Sequence, residues 1–349
     1  MELYLDSGYL NIPWINKVAN NNQCSFIVII GKRQVGKTYG VLQYVVQEKE
    51  PFVLMRRSTI ELDFISKNEN SPFAKIQGCK HIEIDKNSKY TADIIAHYGE
   101  GDENIGLVLA LATIANIRGF NGDRYKRLVF DEFIPESHVW KIRNEGDAFL
   151  NAYVTISGNR ELEGSEPLQC WLLANSNDLS SPILSALKIT DDIANMAKQG
   201  QEIKILRERG ILIIYPKSEI IIDQRKKTAL YRAVGIDSDF ANMSINAGFN
   251  NDTHDIGIVD LTNYIMVSAY HINNVVIYCY MNGDRLFYTT HYYPRSGKII
   301  EEFNVGFDAE VRRNMRIFPN MKSAILRGYA KYSSYEVKKI VFDFYGIKL

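Results

Sequence analysis

Phe26-Ile-Val-Ile-Ile-Gly-Lys-Arg-Gln-Val-Gly-Lys-Thr38 decides the fold of this 349-residue chain. Its apolar half, Phe26 to Ile30, predicts a buried strand, and the remainder fits the pattern GxxxxGK followed by Ser or Thr. In that pattern the glycines let backbone N–H groups wrap phosphate oxygens, Lys37 reaches the β and γ oxygens, and the Thr38 hydroxyl ligates Mg²⁺. The sequence therefore predicts a phosphate loop that binds ATP with Mg²⁺. The loop consists of Gly31, Lys32, Arg33, Gln34, Val35, Gly36, Lys37 and Thr38.

A nucleotide site of this kind also needs acidic groups beside the metal, supplied from the end of a neighbouring strand. Leu128 to Phe130 predicts such a strand, and Asp131 and Glu132 follow it directly. We expect Asp131 to hold Mg²⁺ through its water shell and Glu132 to orient and deprotonate the attacking water. Taken alone, an Asp-Glu pair after an apolar run is typical of a strand that ends at the surface. Together with the phosphate loop it favours a hydrolytic motor of the additional-strand class, with Ile105 to Leu111 as the extra strand.

Four more polar residues follow predicted strands or lie close to one. Asn175 comes after the strand Cys170 to Leu173 and predicts either a sensor of the γ-phosphate or an ordinary turn. Arg56 and Arg57 end another strand, where they would neutralise phosphate charge or form a solvated pair. Arg160 is a candidate arginine finger that reaches the phosphate of a neighbouring subunit, and a surface ion pair is the alternative.

The first part of the chain alternates apolar runs with polar, helix-like stretches. Such a pattern predicts a mostly parallel sheet covered by helices on both faces. The runs are Phe26 to Ile30, Phe52 to Met55, Ile105 to Leu111, Leu128 to Phe130, Cys170 to Leu173 and Ile211 to Tyr215. We therefore predict an α/β P-loop ATPase domain over residues 1–216. A charged, helix-compatible stretch and then one rich in Asn, Asp and Gly predict a linker over residues 217–250.

The remainder, residues 251–349, predicts a smaller α+β domain. Asn273-Asn274 and Asn282-Gly283 separate short apolar runs and predict hairpin turns, because Asn and Gly tolerate positive φ. The runs of this antiparallel meander are Ile256 to Val259, Tyr264 to His271, Val275 to Met281 and Leu286 to His291. The spacing of apolar residues predicts helices over Asp308 to Met315 and Met321 to Phe344.

Composition narrows the class of protein. The longest apolar runs fall far short of the roughly 20 residues that span a bilayer, and the N-terminus lacks the pattern of a secretory signal. We therefore expect a cytoplasmic protein with no membrane partner. The four cysteines lie far apart without CxxC spacing, which is typical of buried reduced thiols. The formal net charge of zero leaves nucleic-acid binding open, because such binding depends on local basic patches.

Taken together, these residues resemble the packaging ATPases of the phi-29-like phages, a branch of the large-terminase type of P-loop motors. The order and spacing of the matching segments hold over most of the chain. Outside the generic phosphate-loop pattern these segments are Arg33, Met55-Arg56-Arg57, Val129 to Ile134, Asn159-Arg160-Glu161, Ala174-Asn175, Lys227-Thr228 and Asn242-Met243-Ser244. Only the phosphate loop and the Asp131-Glu132 pair are specific by themselves.

The resemblance implies a ring of subunits, a pentamer, docked on the portal vertex of an empty capsid in the host cytoplasm. The ring would pump double-stranded DNA through its pore, gripping the phosphate backbone without preference for base sequence. Lys37, Thr38, Asp131 and Glu132 would act in cis on each ATP, and a finger would arrive in trans. Whether a structural RNA joins the ring to the capsid is open.

This chain differs from the family pattern at one arginine. The family pattern has an arginine two residues before the position of Arg160, where this chain has Gly158. Arg160 is therefore the finger candidate that remains. Arg118, before the strand that ends in Asp131, matches a basic lid position of the family and would meet phosphate or DNA. Arg57 is a further candidate for contact with DNA or with a neighbouring site.

For the C-terminal domain the resemblance implies a fold similar to RNase H, which other terminases use as a nuclease. Two-metal cleavage needs a cluster of carboxylates. Asp260, Asp284 and Asp343 lie nearest to predicted elements, but turn and surface roles account for each. We therefore predict a non-cutting domain that docks or grips DNA. Basic and aromatic residues that suit either a phosphate backbone or a solvated helix face are Arg312, Arg313, Arg316, Arg327, Tyr329, Lys331, Tyr332, Tyr335, Lys338 and Lys339.

Two other functions stay open at the level of sequence. The same fold serves motors of the helicase or plasmid-transfer type, which unwind strands instead of pumping duplex. A slow nucleotide-gated protein that assembles on DNA is the second alternative. Glu132 favours hydrolysis over such a slow switch, whereas a strand-separation assay would identify a helicase.

Overall fold

The computed structural model describes residues 2–86, 88, 90–99, 101–117, 120–135, 142, 144–176, 179, 181–235, 255–272, 275–293, 301–304 and 318–347. The chain divides into two compact units. The first contains Met1–Leu187 and Asn195–Asn250, and the second contains Lys188–Ala194 and Asn251–Leu349. The predicted linker therefore groups with the first unit, and a short segment before residue 195 groups with the second. No helix among the described residues has the length and apolar character needed to cross a bilayer.

A single sheet of nine strands organises the described part of the first unit. Its strands are β1 Phe26–Gly31, β2 Phe52–Arg56, β3 His81–Asp85, β4 Thr91–His97, β5 Asp102–Ala110, β6 Arg127–Asp131, β7 Gln169–Asn175, β8 Ile203–Leu206 and β9 Ile211–Ile214. They lie in the order β3-β4-β5-β2-β6-β7-β1-β9-β8. The six strands from β5 to β9 in this order pair in parallel, and β3, β4 and β8 join antiparallel. The predicted mostly parallel α/β sheet is confirmed.

Helices connect and cover these strands. They are α1 Ile12–Asn21, α2 Lys37–Gln47, α3 Thr59–Ile65, α4 Glu145–Ser157, α5 Pro182–Ala186, α6 Thr190–Gln199, α7 Glu219–Lys226 and α8 Ala229–Val234. Local sequence explains several of their starts. The side chains of Asn11, Ser58 and Ser218 accept hydrogen bonds from backbone N–H groups in the first turns of α1, α3 and α7. Such caps satisfy donors that the helix itself leaves without partners.

The strand inserted between the phosphate-loop strand and the strand of Asp131 is β7, which pairs in parallel with β1 and with β6. The prediction of Ile105 to Leu111 as this extra strand is wrong, because β5 lies on the far side of β2. The extra strand could not be identified from the order of strands in the chain. Strand β7 comes after β6 in sequence but lies between β6 and β1 in the sheet. Strands β3 and β4 were missed because buried and exposed residues alternate along them instead of forming an apolar run.

The second unit is a five-stranded sheet with helices, as far as its residues are described. Its elements are β10 Ile265–Ile272, β11 Val275–Asn282, β12 Arg285–Thr289, β13 Glu301–Asn304, α9 Phe318–Leu326, β14 Ala330–Tyr332 and α10 Tyr335–Tyr345. The predicted meander is confirmed by the antiparallel pairing of β10, β11 and β12. At the β11–β12 hairpin, Gly283 has a φ of 57°. The strands β13 and β14 join in parallel at the two edges.

The single helix predicted from Met321 to Phe344 is interrupted. Strand β14 lies within this range and pairs with β12, and Gly328 has a φ of 76° between α9 and β14. A positive φ at this position favours glycine and stops helical continuation. Ile256 forms only an isolated bridge to Tyr332, so Ile256 to Val259 is not a strand of the sheet. The Asn273-Asn274 turn and the helix predicted over Asp308 to Met315 lie outside the described residues.

Trp171 on β7 provides a test of the central position of that strand. Its side chain is fully buried, and its indole N–H donates a 2.9 Å hydrogen bond to Gln169 Oε1. We expect Trp171→Ala to lower the free energy of unfolding by about 3–5 kcal/mol, because the substitution leaves a large cavity. Denaturant unfolding followed by circular dichroism measures this loss. The control is Leu162→Ala, since Leu162 is 89% exposed and should change stability by less than about 0.5 kcal/mol. Equal effects of the two substitutions would contradict a core position for β7.

Candidate functional site

The carboxyl ends of β1, β6 and β7 meet at one edge of the first sheet and form a cleft of about 390 Å³. Ligands of open parallel sheets bind at this edge. Two parts of the cleft come from residues predicted from sequence, namely the phosphate loop and the acidic pair after β6. The lining residues are Arg33, Gln34, Gly36, Lys37, Thr38, Tyr39, Asp131, Glu132, Ala174 and Asn175.

The loop between β1 and α2 has the backbone shape that an anion site requires. Gln34 and Gly36 have φ angles of 69° and 84°, so the chain turns sharply before the helix begins at Lys37. A Cβ on Gly36 would come 3.1 Å from the ring of Tyr9, which adds a steric reason for glycine there. Gly36 also caps α2 without a side-chain hydrogen bond. The first N–H groups of α2 are therefore available to phosphate oxygens.

Lys37 lies buried at the base of the cleft. Its ammonium group donates to the carbonyl oxygens of Gly31 at 3.1 Å and Lys32 at 2.5 Å, and to Asn175 Oδ1 at 3.1 Å. Burial lowers its pKa to about 7; the negative charge of Asp131 opposes this shift, and the charge of Arg33 adds to it. Asn175 thus contacts the catalytic lysine candidate, as expected for a strand end beside the loop. Burial and the nearby Arg225 also lower the pKa of Lys32, to about 8.

The acidic pair contacts both the helix start and a neighbouring strand. The Thr38 hydroxyl donates to Asp131 Oδ1 at 2.8 Å, so the two predicted Mg²⁺ ligands face each other. Arg56 at the end of β2 places its guanidinium 3.1 Å from Asp131 Oδ2 and 3.3 Å from Glu132 Oε2. Glu132 has a φ of 55°, and its side chain is 62% exposed. This strained turn directs Glu132 out of the sheet and toward the cleft.

These contacts fit the residues to MgATP. A hydroxyl and a carboxylate oxygen side by side are the donors that Mg²⁺ prefers in nucleotide sites. The nearby ammonium of Lys37 and guanidinium of Arg56 supply positive charge for phosphate oxygens. Arg56 Nε is also buried without a hydrogen-bond partner among the described residues, so it keeps an unused donor at the site. Val35 has a different role, because its side chain is buried and its carbonyl accepts from Leu10 N at 3.2 Å.

Arg57 does not reach the cleft. Its Nε and Nη2 atoms donate to the two carboxylate oxygens of Glu145 at 2.6 and 3.1 Å, and both side chains are buried. This two-point ion pair joins the end of β2 to the start of α4. This buried ion pair favours a structural role for Arg57, and the hypothesis that it contacts DNA or acts in trans stays a prediction.

Arg160 is also a structural residue. Its guanidinium donates to the carbonyl oxygens of Ser157, Tyr125 and Gly122 at 2.8, 2.8 and 2.9 Å, and the side chain is 5% exposed. The arginine therefore ties the end of α4 to the loop before β6. These contacts favour a structural role in the single chain, and the assignment of Arg160 as the finger of a neighbouring site stays a prediction. The other basic candidate, Arg118, lies outside the described residues.

Arg225 at the end of α7 was missed by the sequence analysis. Its Nη1 atom lies 3.5 Å from the carbonyl oxygen of Arg33 in the phosphate loop, and its guanidinium stacks on the ring of Tyr231. Its charge contributes to the lowered pKa values of Lys32 and Lys37. The sequence carries no local signal for this role, because only the fold brings the predicted linker beside the loop.

The carboxylates considered for nuclease chemistry do not form a metal-binding group with one another in the described residues. Asp260 accepts from Thr262 in its own turn, and this bonding lowers the pKa of the carboxyl. Asp284 and Asp343 are exposed. That the C-terminal domain does not cut DNA stays a prediction.

Comparisons with known proteins identify the family and the fold of the chain. A family model described as podovirus DNA encapsidation protein (Gp16) matches residues 11–348. The solved structure of the phi-28 gp11 DNA packaging motor is 17% identical, with 97% of this chain and 99% of that chain covered and a TM-score of 0.57. The structure of the bacteriophage phi-29 viral genome packaging motor assembly is also 17% identical, with 99% of each chain covered and a TM-score of 0.60. Both likenesses concern the fold. No curated protein matches the sequence.

The buried position of Arg160 generates a test. We expect Arg160→Lys to lower the free energy of unfolding by about 2 kcal/mol or more, because a lysine ammonium cannot bond all the carbonyl groups that the guanidinium reaches. Denaturant unfolding measures the change. Arg124→Lys is the matched control, since Arg124 is exposed and should lose far less. If Arg160 were a finger, Arg160→Lys would keep its stability and lose ATP hydrolysis. Mixing it with a Lys37→Ala chain, which still has Arg160, would then restore hydrolysis. That result would contradict the structural role.

The lowered pKa of Lys37 generates a second test. Because burial lowers the pKa of Lys37 to about 7, part of the Lys37 side chains is neutral near neutral pH before nucleotide binds. An anionic triphosphate favours the charged form, so its pKa rises in the complex. Binding of MgATP near neutral pH should then take up protons at Lys37 and weaken as the pH rises through about 7. Calorimetry in buffers of different ionisation enthalpy measures the uptake.

The pKa of Lys32 is also lowered, so this lysine would contribute to the proton uptake as well. A substitution at Lys32 separates its contribution from that of Lys37. Lys32→Arg keeps its positive charge at every pH of the experiment and removes any uptake by Lys32. Lys37→Arg should remove the remaining uptake, although its affinity for MgATP will be lower. Absence of proton uptake by the Lys32→Arg protein at pH 7 would show that the Lys37 ammonium is already charged before nucleotide binds.

Proposed function

This chain belongs to the podovirus DNA encapsidation protein (Gp16) family, and from that premise we propose that it hydrolyses ATP to move double-stranded DNA into a preformed capsid. The observation that carries the proposal is the convergence of Lys37, Thr38, Asp131 and Glu132 on one cleft. These residues come from two places in the sequence, 93 positions apart. The fold brings together the side chains that phosphate binding, metal binding and activation of water require.

The phosphate loop and Lys37 would hold the triphosphate of ATP, and Thr38 with Asp131 would hold Mg²⁺. When bound, Mg²⁺ supplies positive charge that neutralises the phosphate oxygens. Lys37 must be protonated to bind phosphate, and the burial that lowers its pKa also strengthens its attraction to an anion. Asn175 holds the Lys37 ammonium from the side of β7 and is placed to sense the γ-phosphate.

Glu132 is the base in this proposal. Its carboxylate lies 3.3 Å from the guanidinium of Arg56, which engages one of its oxygen atoms. Phosphate oxygens compete for the same guanidinium. Arrival of the triphosphate would draw Arg56 away and leave the Glu132 carboxylate free to accept a proton from the attacking water. Arg56 would thus link occupancy of the cleft to the availability of the Glu132 carboxylate.

Self-assembly is the second part of the proposal. The similar structures are packaging motors, and one is described as a motor assembly. On this basis copies of the chain form a ring, a pentamer, at the portal vertex of a capsid in the host cytoplasm. Each site would be completed by an arginine of a neighbouring copy. Duplex DNA is the substrate that such a ring moves.

The experiment is ATP hydrolysis per chain, measured over a range of protein concentrations with and without duplex DNA. We expect the rate to rise with concentration and with DNA, because assembly completes each site. Glu132→Gln should reduce the rate by about 10² or more, because a general base is lost. Glu163→Gln is the matched control, since it removes the same charge from an exposed residue that does not line the cleft. A flat rate that Glu132→Gln leaves unchanged would contradict the proposal and favour a slow nucleotide-gated binding protein.

A further inference from the structure

A second polar cluster lies on the antiparallel edge of the first unit's sheet. His81 and Glu83 are two positions apart on β3, so both side chains lie on one face. His97 on β4 is directly opposite His81, and Asp102 on β5 is directly opposite His97. The pairing of three strands therefore places two imidazoles and two carboxylates on the same side of the sheet. The proposed ATPase mechanism uses none of them.

The two nitrogens of His97 have different environments. Nδ1 lies 2.7 Å from Asp102 Oδ1, a normal hydrogen-bond distance to a carboxylate that can only accept. Nε2 is buried, has no hydrogen-bond partner among the described residues, and lies 3.4 Å from Glu83 Oε2. When Nδ1 carries the proton of a neutral imidazole, a lone pair on Nε2 faces a carboxylate oxygen. The Nε2 lone pair and the Glu83 oxygen then repel each other at 3.4 Å, and a positive charge between them or beside them removes this repulsion.

We propose that His81, Glu83 and His97 bind one divalent transition-metal ion, for which Zn²⁺ is the best fit. Two ligand atoms on a tetrahedral zinc, each about 2.0–2.1 Å from the metal, are about 3.4 Å apart. The Nε2 atom of His97 and the Oε2 atom of Glu83 have this separation. One ligand atom from each of the three side chains lies within 4.8 Å of the others. Imidazole with carboxylate is a ligand set that zinc binds well.

Asp102 has the role of a positioning residue in this site. A histidine that binds metal commonly donates its other ring N–H to a carboxylate, which fixes the tautomer and the ring orientation. The contact between His97 and Asp102 does this, because it commits the proton to Nδ1 and leaves Nε2 for the metal. Asp102 is on β5 and lies outside the ligand set, so its effect on metal affinity would be indirect.

His81 completes the site by a local movement. Its ring stacks on the ring of His97 with centroids 4.0 Å apart and planes 9° apart. A metal bound by His97 lies near the plane of that ring, so the exposed His81 ring must turn to aim a nitrogen at the same ion. Such side-chain rotations are fast at exposed positions. Water would occupy the fourth position, and the ion would join the edge strand β3 to β4.

The selectivity of this cluster separates it from the nucleotide cleft. Mg²⁺ prefers oxygen ligands in octahedral geometry, whereas two imidazoles favour zinc. Excess Mg²⁺ therefore saturates oxygen-only sites without competing at the histidines. Protonation does compete, because the imidazole must be neutral to bind a metal.

The experiment is a calorimetric titration of the full chain with ZnCl₂, in excess Mg²⁺ and at about pH 7.5. We expect one saturable ion per chain that depends on the histidines. His97→Asn and His81→Asn should each weaken binding at least about tenfold, and Asp102→Asn should weaken it by about 10–100-fold through its effect on His97. Glu83→Gln should also weaken it at least about tenfold. Its matched control is Asp85→Asn, which removes the same charge from an exposed residue of the same strand and should leave affinity unchanged.

Hydrogen exchange locates the bound ion independently. Zinc should slow exchange of backbone amides in β3 and β4 of the native chain and leave them unchanged in His81→Asn, whose exposed position keeps the fold intact. Circular dichroism of each variant without zinc checks folding. Absence of saturable zinc binding by the native chain would overturn the proposal and assign the positive charge at His97 to a proton. Binding that survives His97→Asn and His81→Asn would also overturn it, since another site would then hold the ion.

Discussion

The parallel pairing of β7 between β1 and β6 is the constraint on which the site depends. Because the three strands run in the same direction, their carboxyl ends reach one edge of the sheet together. That edge brings the phosphate loop after β1, the acidic pair after β6 and Asn175 at the end of β7 into one cleft. The hydrogen bond from Lys37 to Asn175 joins the first and third of these directly. A different strand between β1 and β6 would remove that contact.

Charge compensation within the cleft follows from this arrangement. Lys37 is buried deeply enough to lower its pKa to about 7, and the negative charge of Asp131 opposes that effect. Arg56 in turn contacts both Asp131 and Glu132. The cleft therefore combines two cationic groups with two carboxylates in a partly desolvated place. An arriving polyanion would compete with both carboxylates for Arg56, which is why nucleotide binding and the release of Glu132 from Arg56 are expected to be linked.

Sequence predicted the parts of the fold that local patterns determine. The strand before Gly31, the phosphate loop that follows it and the acidic pair after β6 are all indicated by short apolar runs and the residues that directly follow them. Strand order did not follow, because a run of apolar residues is equally consistent with any place in a parallel sheet. Arg225 was missed for a related reason. Its contact with the loop joins residues 192 positions apart, and nothing near it in sequence marks that contact.

Arginines show most clearly why function could be assigned to some residues and not to others. Arg56 and Arg57 are neighbours in sequence, yet the first contacts the acidic pair and the second is buried against Glu145. Arg56 is the last residue of β2 and Arg57 follows the strand, and their side chains leave the backbone in different directions. Arg160 looked equally suitable until its donors were found on main-chain carbonyl groups. Whether a guanidinium is already bound within its own chain is set by the fold and not by the residue type, so the sequence alone could not separate Arg56 from Arg57 and Arg160.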